Sequence, residues 1–567
     1  MKENIFIAVG GSGTKVAEAL VRLLAIGFPT RSESDTDHTL TSAGEKLRIW
    51  RVDPDTNSGA STELDKVVRN YWDLQEHLEQ NWAMTITDVV HLDPLILPSH
   101  AEGDNIGKTL KGILDSEIAG NDSSRPFLDL FFEEKDLEIQ VDRGFYQKPF
   151  IGSGVMALFV NSLLESSNAS EKSGFRALEG QNVRFFLCGS LHGGTGACGV
   201  PVLGEFLRDR KAEQRGDWRL GGCLLGPYHS PPSLPFILPK DSTEVDNKAI
   251  KEFRKQNEKH PAFQTLTDHS QEELARQILQ GFYATPDLMP VRASHSLSYY
   301  KDRIAKYFDT LFVIGKETSD TYATQESKDR WSNGGLSQNN PLNSAEVVAA
   351  ISALSFFAES PIEQSAGDTY TIAGSTENLN SKNVTLHDLP LYKVGDAEID
   401  PEKVFLASAL ARHFIMHQHR WDMKAASWSS DFGLRKVYEK DEVKQKDDKK
   451  EFDQASALFI KILETTVGPQ TSLGWSSDVS HELSMLLATD KAGVARVQEK
   501  LKKPGLFSKL TNRDRNLLGG VELDQTAFEL AKGLPSSNFN RGDYWRFVWD
   551  KVYRLSTERV KSQSAAV

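Results

Sequence analysis

The chain has 567 residues, 39% hydrophobic and 26% charged, with a formal net charge of -13. That length suits about two to four domains, and the composition suits packed cores rather than a disordered chain. The acidic balance disfavours nucleic acid as a partner, because nonspecific binding needs a basic surface to displace counterions. Three cysteines, Cys188, Cys198 and Cys223, are too few for a disulfide frame and point to buried thiols in a reducing compartment. No run approaches the ~18 apolar residues of a membrane-spanning helix. The start has no long apolar signal segment. The expectation is a cytoplasmic chain with no membrane span.

In chain order, residues 4–9 read as a buried parallel strand. Gly10-Gly-Ser-Gly-Thr14 reads as a turn, after which Val16, Ala19, Leu20, Leu23 and Leu24 recur at helical spacing. Residues 30–46 are polar and turn-rich. Leu47-Arg-Ile-Trp-Arg-Val52 is a second strand, closed by Asp53-Pro-Asp55. Residues 60–140 mix helical pieces with polar connectors. Phe145 to Gly154 reads as a loop, followed by a helix through Met156, Leu158, Phe159 and Leu163.

A third strand, Val183-Arg-Phe-Phe-Leu-Cys188, leads into Gly189-Ser-Leu-His-Gly-Gly-Thr-Gly-Ala-Cys-Gly199 and then a helical pattern. Leu220 to Leu225 is a strand that ends in Gly226-Pro-Tyr-His-Ser-Pro-Pro232. Charged helices follow, including Asn247 to Lys259. Phe308 to Gly315 is another strand, 316–340 a polar loop, and Ser344 to Ala358 an apolar helix.

Strands alternating with helices predict an α/β fold with a doubly wound, mostly parallel sheet. Beyond about 361 the texture changes. Thr369 to Ala373 suggests a strand, Val404 to Met416 and Ala455 to Leu463 suggest helices, and 439–453 is dense in both charge signs, as an exposed connector or solvated helix face is. The predicted division is an α/β domain over 1–340, a connecting helix over 341–360, and a mostly helical C-terminal α+β region over 361–567.

Two glycine-rich segments carry the chemistry. Each follows a strand and opens a helix, where backbone N–H groups and the helix dipole favour a phosphate. Gly10-Gly-Ser-Gly-Thr14 lacks the Lys and Ser/Thr that a Walker A loop requires at fixed spacing. It also lacks the third Gly of a dinucleotide fingerprint, since Val16 stands there. An NAD-dependent oxidoreductase therefore leaves the second segment, 189–199, unexplained. His413 and His417 have helical spacing, but no third metal ligand stands with them, so no metal site is predicted.

The second segment, with His192-Gly193-Gly194-Thr195-Gly196-Ala197-Cys198, resembles the signature loop of the tubulin/FtsZ superfamily. His192 and Cys198 stand where that family has glycines. Gly10-Gly11-Ser12-Gly13-Thr14 resembles its first phosphate loop, and Arg51-Val-Asp53 resembles the end of its second strand. Lys148-Pro-Phe-Ile-Gly152-Ser153-Gly154 falls where its third loop covers the terminal phosphate. Gly226-Pro227-Tyr228 resembles its ribose-side segment, Phe308 to Gly315 a core strand, and 344–358 its long central helix.

The resemblance covers about residues 1–360. It implies a GTP/GDP site with Mg²⁺, held by Gly10, Gly11, Ser12, Gly13, Thr14, Asp53, Gly152, Ser153, Gly154, His192, Gly193, Gly194, Thr195, Gly196, Pro227 and Asn343. It implies self-association into an oligomer or filament, hydrolysis that is slow or completed by a neighbouring subunit, and a protein partner read through the C-terminal region. Two departures stand against it. The central helix is apolar near Ala350 and Ile351, where the family contacts guanine, and no acidic synergy motif follows it. Asp388 in Asn383-Val-Thr-Leu-His-Asp388 is the nearest catalytic candidate. Within the superfamily the chain resembles divergent bacterial tubulin-like proteins that carry long, divergent C-terminal regions. The alternative is a non-catalytic nucleotide-binding scaffold with a degenerate site.

Overall fold

The computed structural model describes residues 2–27, 45–76, 84–95 and 109–118, most of 132–315, residues 342–358, and beyond them only 370–374, 392–394, 397–399 and Ile462. The sheet strands are β1 (Lys2–Val9), β2 (Lys46–Val52), β3 (Thr85–Leu92), β4 (Asn182–Ser190), β5 (Trp218–Leu225), β6 (Thr310–Ile314) and β7 (Tyr370–Gly374). The larger helices are α1 (Gly10–Ile26), α2 (Gly59–Glu76), α3 (Leu110–Ile118), α4 (Pro149–Ser162), α5 (Gly194–Glu213), α6 (Asn247–Asn257), α7 (Asp268–Leu279), α8 (Leu288–Tyr300) and α9 (Ser344–Ala358).

The seven strands form one sheet in the order β3-β2-β1-β4-β5-β6-β7, and every pair is parallel. Up to β6 this is the strand order of doubly wound nucleotide folds. A separate hairpin pairs Tyr392–Val394 with Ala397–Ile399.

The strands are apolar on both sides because helices cover both faces. Even positions of β1 and β4 build one face. Phe6 stacks on Phe186 at 5.9 Å, and Phe186 meets Phe356 of α9 at 5.6 Å and Phe312 of β6 at 5.9 Å. Odd positions build the other. Phe185 meets Trp218 edge-on at 5.0 Å and Trp50 at 6.0 Å, and Ile5, Ile7 and Val9 join a core with residues of α4 and α5.

Helix α1 is buried from Gly13 to Ile26, packed between the sheet, α2 and α9. It ends at Gly27, whose φ of 87 lets its N–H reach the carbonyls of Leu23 and Leu24. Charges on a helix this enclosed must be paired. Glu18 accepts from Lys15 at 2.6 Å and from Arg22 at 2.7 Å, and Arg22 also reaches Glu63 of α2 at 3.2 Å. Burial pushes the Glu18 carboxyl up, but Lys15 and Arg22 together hold it below the usual range.

Several sequence expectations are corrected. The glycines at 10–14 form the first turn of α1, so β1 passes into the helix without a loop. Residues 149–154 belong to α4, because Pro149 favours a first helical position. Strand β4 runs on through Gly189 and Ser190, so the second glycine segment reduces to a turn at 191–193 before α5. Strand β3 was not foreseen within 60–140. It is half-exposed, with an irregular register against β2, so no clean alternation marks it. Strand β7 hydrogen-bonds to β6, so the sheet continues past α9 into the segment assigned to the C-terminal region. The helices expected at 404–416 and 455–463 lie outside the described residues, apart from the buried helical Ile462.

Phe186 lies at the centre of the α9-facing layer, and Phe186→Ala leaves a cavity touching both α9 and β6. The expected cost is about 3–5 kcal/mol in chemical denaturation of the α/β unit. A loss below about 1 kcal/mol would contradict this packing.

Candidate functional site

In a doubly wound sheet the ligand crevice opens at the carboxyl ends of the strands where the chain order reverses. Here that point lies between β1 and β4, whose following helices α1 and α5 pack on opposite faces. Both glycine segments stand at this point.

The two helix starts touch. Gly10 has φ 72, and a Cβ there would lie 3.1 Å from the Gly196 nitrogen and 3.1 Å from the Thr195 Cβ. Gly13 is held closer still, since its Cβ would lie 2.5 Å from the Cys188 carbonyl oxygen and 2.9 Å from the Ala8 carbonyl carbon. Both contacts are with backbone, which cannot move aside. Gly11 differs, because it is exposed and a Cβ there meets nothing within 4 Å.

Neither α1 nor α5 has a side-chain cap. Val9 and Gly193 are the N-cap residues, and neither first turn carries an acidic side chain. The first N–H groups of a helix lack intrahelical acceptors and carry the positive end of its dipole. Two such ends side by side suit an anion.

The proposed site residues divide into groups. Gly10, Gly11, Ser12, Gly13 and Thr14 form the start of α1, with the Thr14 hydroxyl donating to the Gly10 carbonyl at 3.0 Å. His192, Gly193, Gly194, Thr195 and Gly196 form the start of α5. There the Gly193 N–H donates to Ser190 Oγ, and the buried Cys198 thiol donates to the Thr195 carbonyl at 3.3 Å. Burial raises that thiol well above its usual range.

Gly152, Ser153 and Gly154 are not brought to this place as a loop. Gly152 is packed against Cys198 and the Phe145 ring, the Ser153 hydroxyl donates to Pro149 O at 2.9 Å, and Gly154 faces Phe132. The residues that lie on the second turn instead are Gly144 and Phe145. Gly144 has φ 100 and lies beside Thr195 Oγ1, while Phe145 backbone covers Gly194. The loop expected from the sequence ran from Phe145 to Gly154, so it began at Phe145 and left Gly144 out.

Asp53 follows β2, which pairs in register with β1. It is buried, its Oδ1 accepts from the Asp55 N–H at 3.3 Å, and its carbonyl lies 2.8 Å from His91 Nε2. Burial, and then the neighbouring Asp55, raise its carboxyl to about 7. Pro227 is half-buried in the segment after β5. Asn343 serves α9, since its Oδ1 accepts from the Ala345 N–H at 3.0 Å while its own N–H donates to Glu346 Oε2 at 2.7 Å. That reciprocal pair is a capping box, legible as the spacing Asn343-x-x-Glu346. Asp388 lies outside the described residues.

His192 is buried and sits edge-on to Tyr228, with ring centroids 6.0 Å apart. Burial lowers its imidazole to about 4, so it is neutral at pH 7. The Tyr228 hydroxyl donates to Glu346 Oε1 at 2.8 Å. Burial raises the Glu346 carboxyl to about 7 against the opposing pull of Lys15. None of Lys15, Tyr228 and Glu346 stood among the expected site residues.

The three cysteines are free and buried, as expected. Among the described residues no group of three or more His, Cys, Asp or Glu is placed to hold a metal ion, and no helix is long and apolar enough to cross a membrane. No known protein-family model matches the chain, and no curated protein matches it.

Between about pH 4.5 and 7 folded Glu346 keeps a proton that the unfolded chain releases, so its contribution to stability is lost as pH rises through 7. The buried His192 acts in the opposite sense, since unfolding lets it take up a proton between about 4 and 6.5. Glu346→Gln removes only the first effect. The stability advantage of wild type over Glu346→Gln is expected to be largest below about pH 4.5 and to shrink as pH rises to about 7, by up to about 1.4 kcal/mol per pH unit, with little change above that. Denaturation at several pH values measures it, and a pH-independent gap would show that Glu346 ionises normally.

Proposed function

We propose that the crevice between the starts of α1 and α5 binds a nucleoside polyphosphate. The observation that carries this reading is the direct contact of two helix N-termini, at Gly10 and Thr195–Gly196, each without a side-chain cap or an acidic first turn. A dinucleotide fold needs one glycine turn for its pyrophosphate. A second turn facing the first suits a compact chain of phosphates held from both sides.

The glycine motifs, taken with this strand order, favour a tubulin/FtsZ-like reading. The ligand is then GTP or GDP, with Mg²⁺ held mainly by phosphates and water, as that ion prefers. Backbone N–H groups of Gly11 to Gly13 and Gly194 to Gly196 hold the phosphates, and the Thr195 hydroxyl adds a donor. Asp53 stands at the ribose side. Self-association, and hydrolysis completed by a neighbouring subunit, belong to the same reading. The second reading is a nucleotide-regulated scaffold that does not hydrolyse. It is favoured by the neutral, enclosed His192 and by the commitment of Asn343 to capping α9, which leaves base recognition to other groups.

Calorimetric titration of the full chain with GTP, GDP, ATP and ADP tests the proposal, and absence of binding by all four sinks it. Phosphate release rising faster than linearly with protein concentration selects the polymerising GTPase, and flat release selects the scaffold. Gly11→Asp separates binding from folding. An acid in the first turn of α1 stabilises the helix by about 0.3–1 kcal/mol, so the melting temperature is expected to hold or rise. The same charge repels phosphate, so affinity is expected to fall at least tenfold. Unchanged affinity would place the phosphates elsewhere.

A further inference from the structure

We infer that Glu346 is a positioning residue that locks the turn at His192 to the start of α9, so that the second glycine turn and the central helix are seated together. Three elements meet at its carboxyl. Oε2 accepts the Asn343 N–H at 2.7 Å and closes the first turn of α9. Oε1 accepts the Tyr228 hydroxyl at 2.8 Å, and the Tyr228 ring stands edge-on to His192, 6.0 Å between centroids. The turn itself is tied to the same strand end, because the Leu191 N–H donates to the Leu225 carbonyl at 2.8 Å.

All the side chains in this chain of contacts are buried: His192 at 4% exposure, Asn343 at 2%, Tyr228 at 1% and Glu346 at 1%. Water cannot replace a lost partner there without opening the packing, so breaking one link disturbs the others. The titratable groups that face Glu346 are Lys15 and Glu18 from α1, Tyr228 from the segment after β5, and Cys188 from β4. Lys15, next to Thr14 in the chain, acts on this carboxyl through its charge and lowers it. Loss of a proton from Glu346 adds a negative charge among these groups, and the lock then becomes sensitive to pH near neutrality.

A ligand that orders the turn at 191–195 therefore also orders the start of α9. As regulation of nucleotide binding this rests on the function proposed above. As a coupling between two segments it is measurable without ligand.

Hydrogen exchange of the full chain, corrected for intrinsic rates, provides the test. Tyr228→Phe removes one hydroxyl and keeps the ring. Protection is expected to fall at least fivefold in both 189–197 and 342–350, with β1 unchanged. Glu346→Gln keeps both contacts, since its carbonyl accepts from Asn343 and its amide donates to the Tyr228 hydroxyl. It is expected to hold protection in both segments within twofold while abolishing the change that wild type shows between pH 6 and 8. A Tyr228→Phe effect confined to one segment, or a Glu346→Gln chain that keeps the wild-type pH response, overturns the lock. If Tyr228→Phe loosens β1 as well, the pH comparison of Glu346→Gln with wild type decides alone. A wild-type chain that binds no nucleotide sinks the functional proposal and leaves this one standing on the exchange result.

Discussion

The backbone contact between the starts of α1 and α5 constrains everything around it. Strands β1 and β4 lie side by side, and each runs into a helix that leaves toward the opposite face. The two helices begin within contact distance only because no side chain stands between them. At Gly13 the first turn of α1 rests on the Cys188 carbonyl, and at Gly10 it meets the backbone of Gly196. The glycines do two jobs at once. They let the sheet close up at its switch point, and they leave main-chain donors there for an anion. Gly11 alone in the first group has space above it, which separates the residue that faces outward from those that serve packing.

Charge is handled in two ways around this contact. Lys15, Glu18 and Arg22 of α1 pair within two turns of helix, and Glu63 of α2 balances the remaining positive charge. Asp53 and Glu346 are instead pushed toward their neutral forms by burial. The potential at the crevice is then set by helix ends more than by full side-chain charges. On the function proposed above, selection of a ligand rests on the fit of phosphate oxygens to main-chain donors.

The sheet was largely legible because its strands are continuous apolar runs. Ile5 to Val9, Phe185 to Cys188 and Leu220 to Leu225 are buried on both faces and bear no polar alternation to confuse with surface structure. β3 was missed for the opposite reason, since Asp88 and His91 break the apolar run of a half-exposed strand. The two glycine turns were found by spacing alone. Their boundaries were not, because glycine reads as loop whether it lies in a turn or within a helix packed too tightly for a Cβ. Gly152 is such a case, fixed by the nearby Phe145 and by Cys198, which is distant in the sequence. The same distance hid Tyr228 and Glu346, which are 118 residues apart and meet only after the sheet has formed.

Strand β7 changes the mechanical character of the helix before it. After α9 the chain returns to the sheet and pairs in parallel with β6, from Thr310 and Tyr370 to Ile314 and Gly374. Helix α9 therefore lies in the chain between two adjacent, parallel strands of one sheet. At its far end the Arg184 guanidinium of β4 also donates to the Phe357 carbonyl. Packing on α1, β4, β5 and β6 also holds this helix along its length, so any displacement of it has to be shared with the sheet beneath.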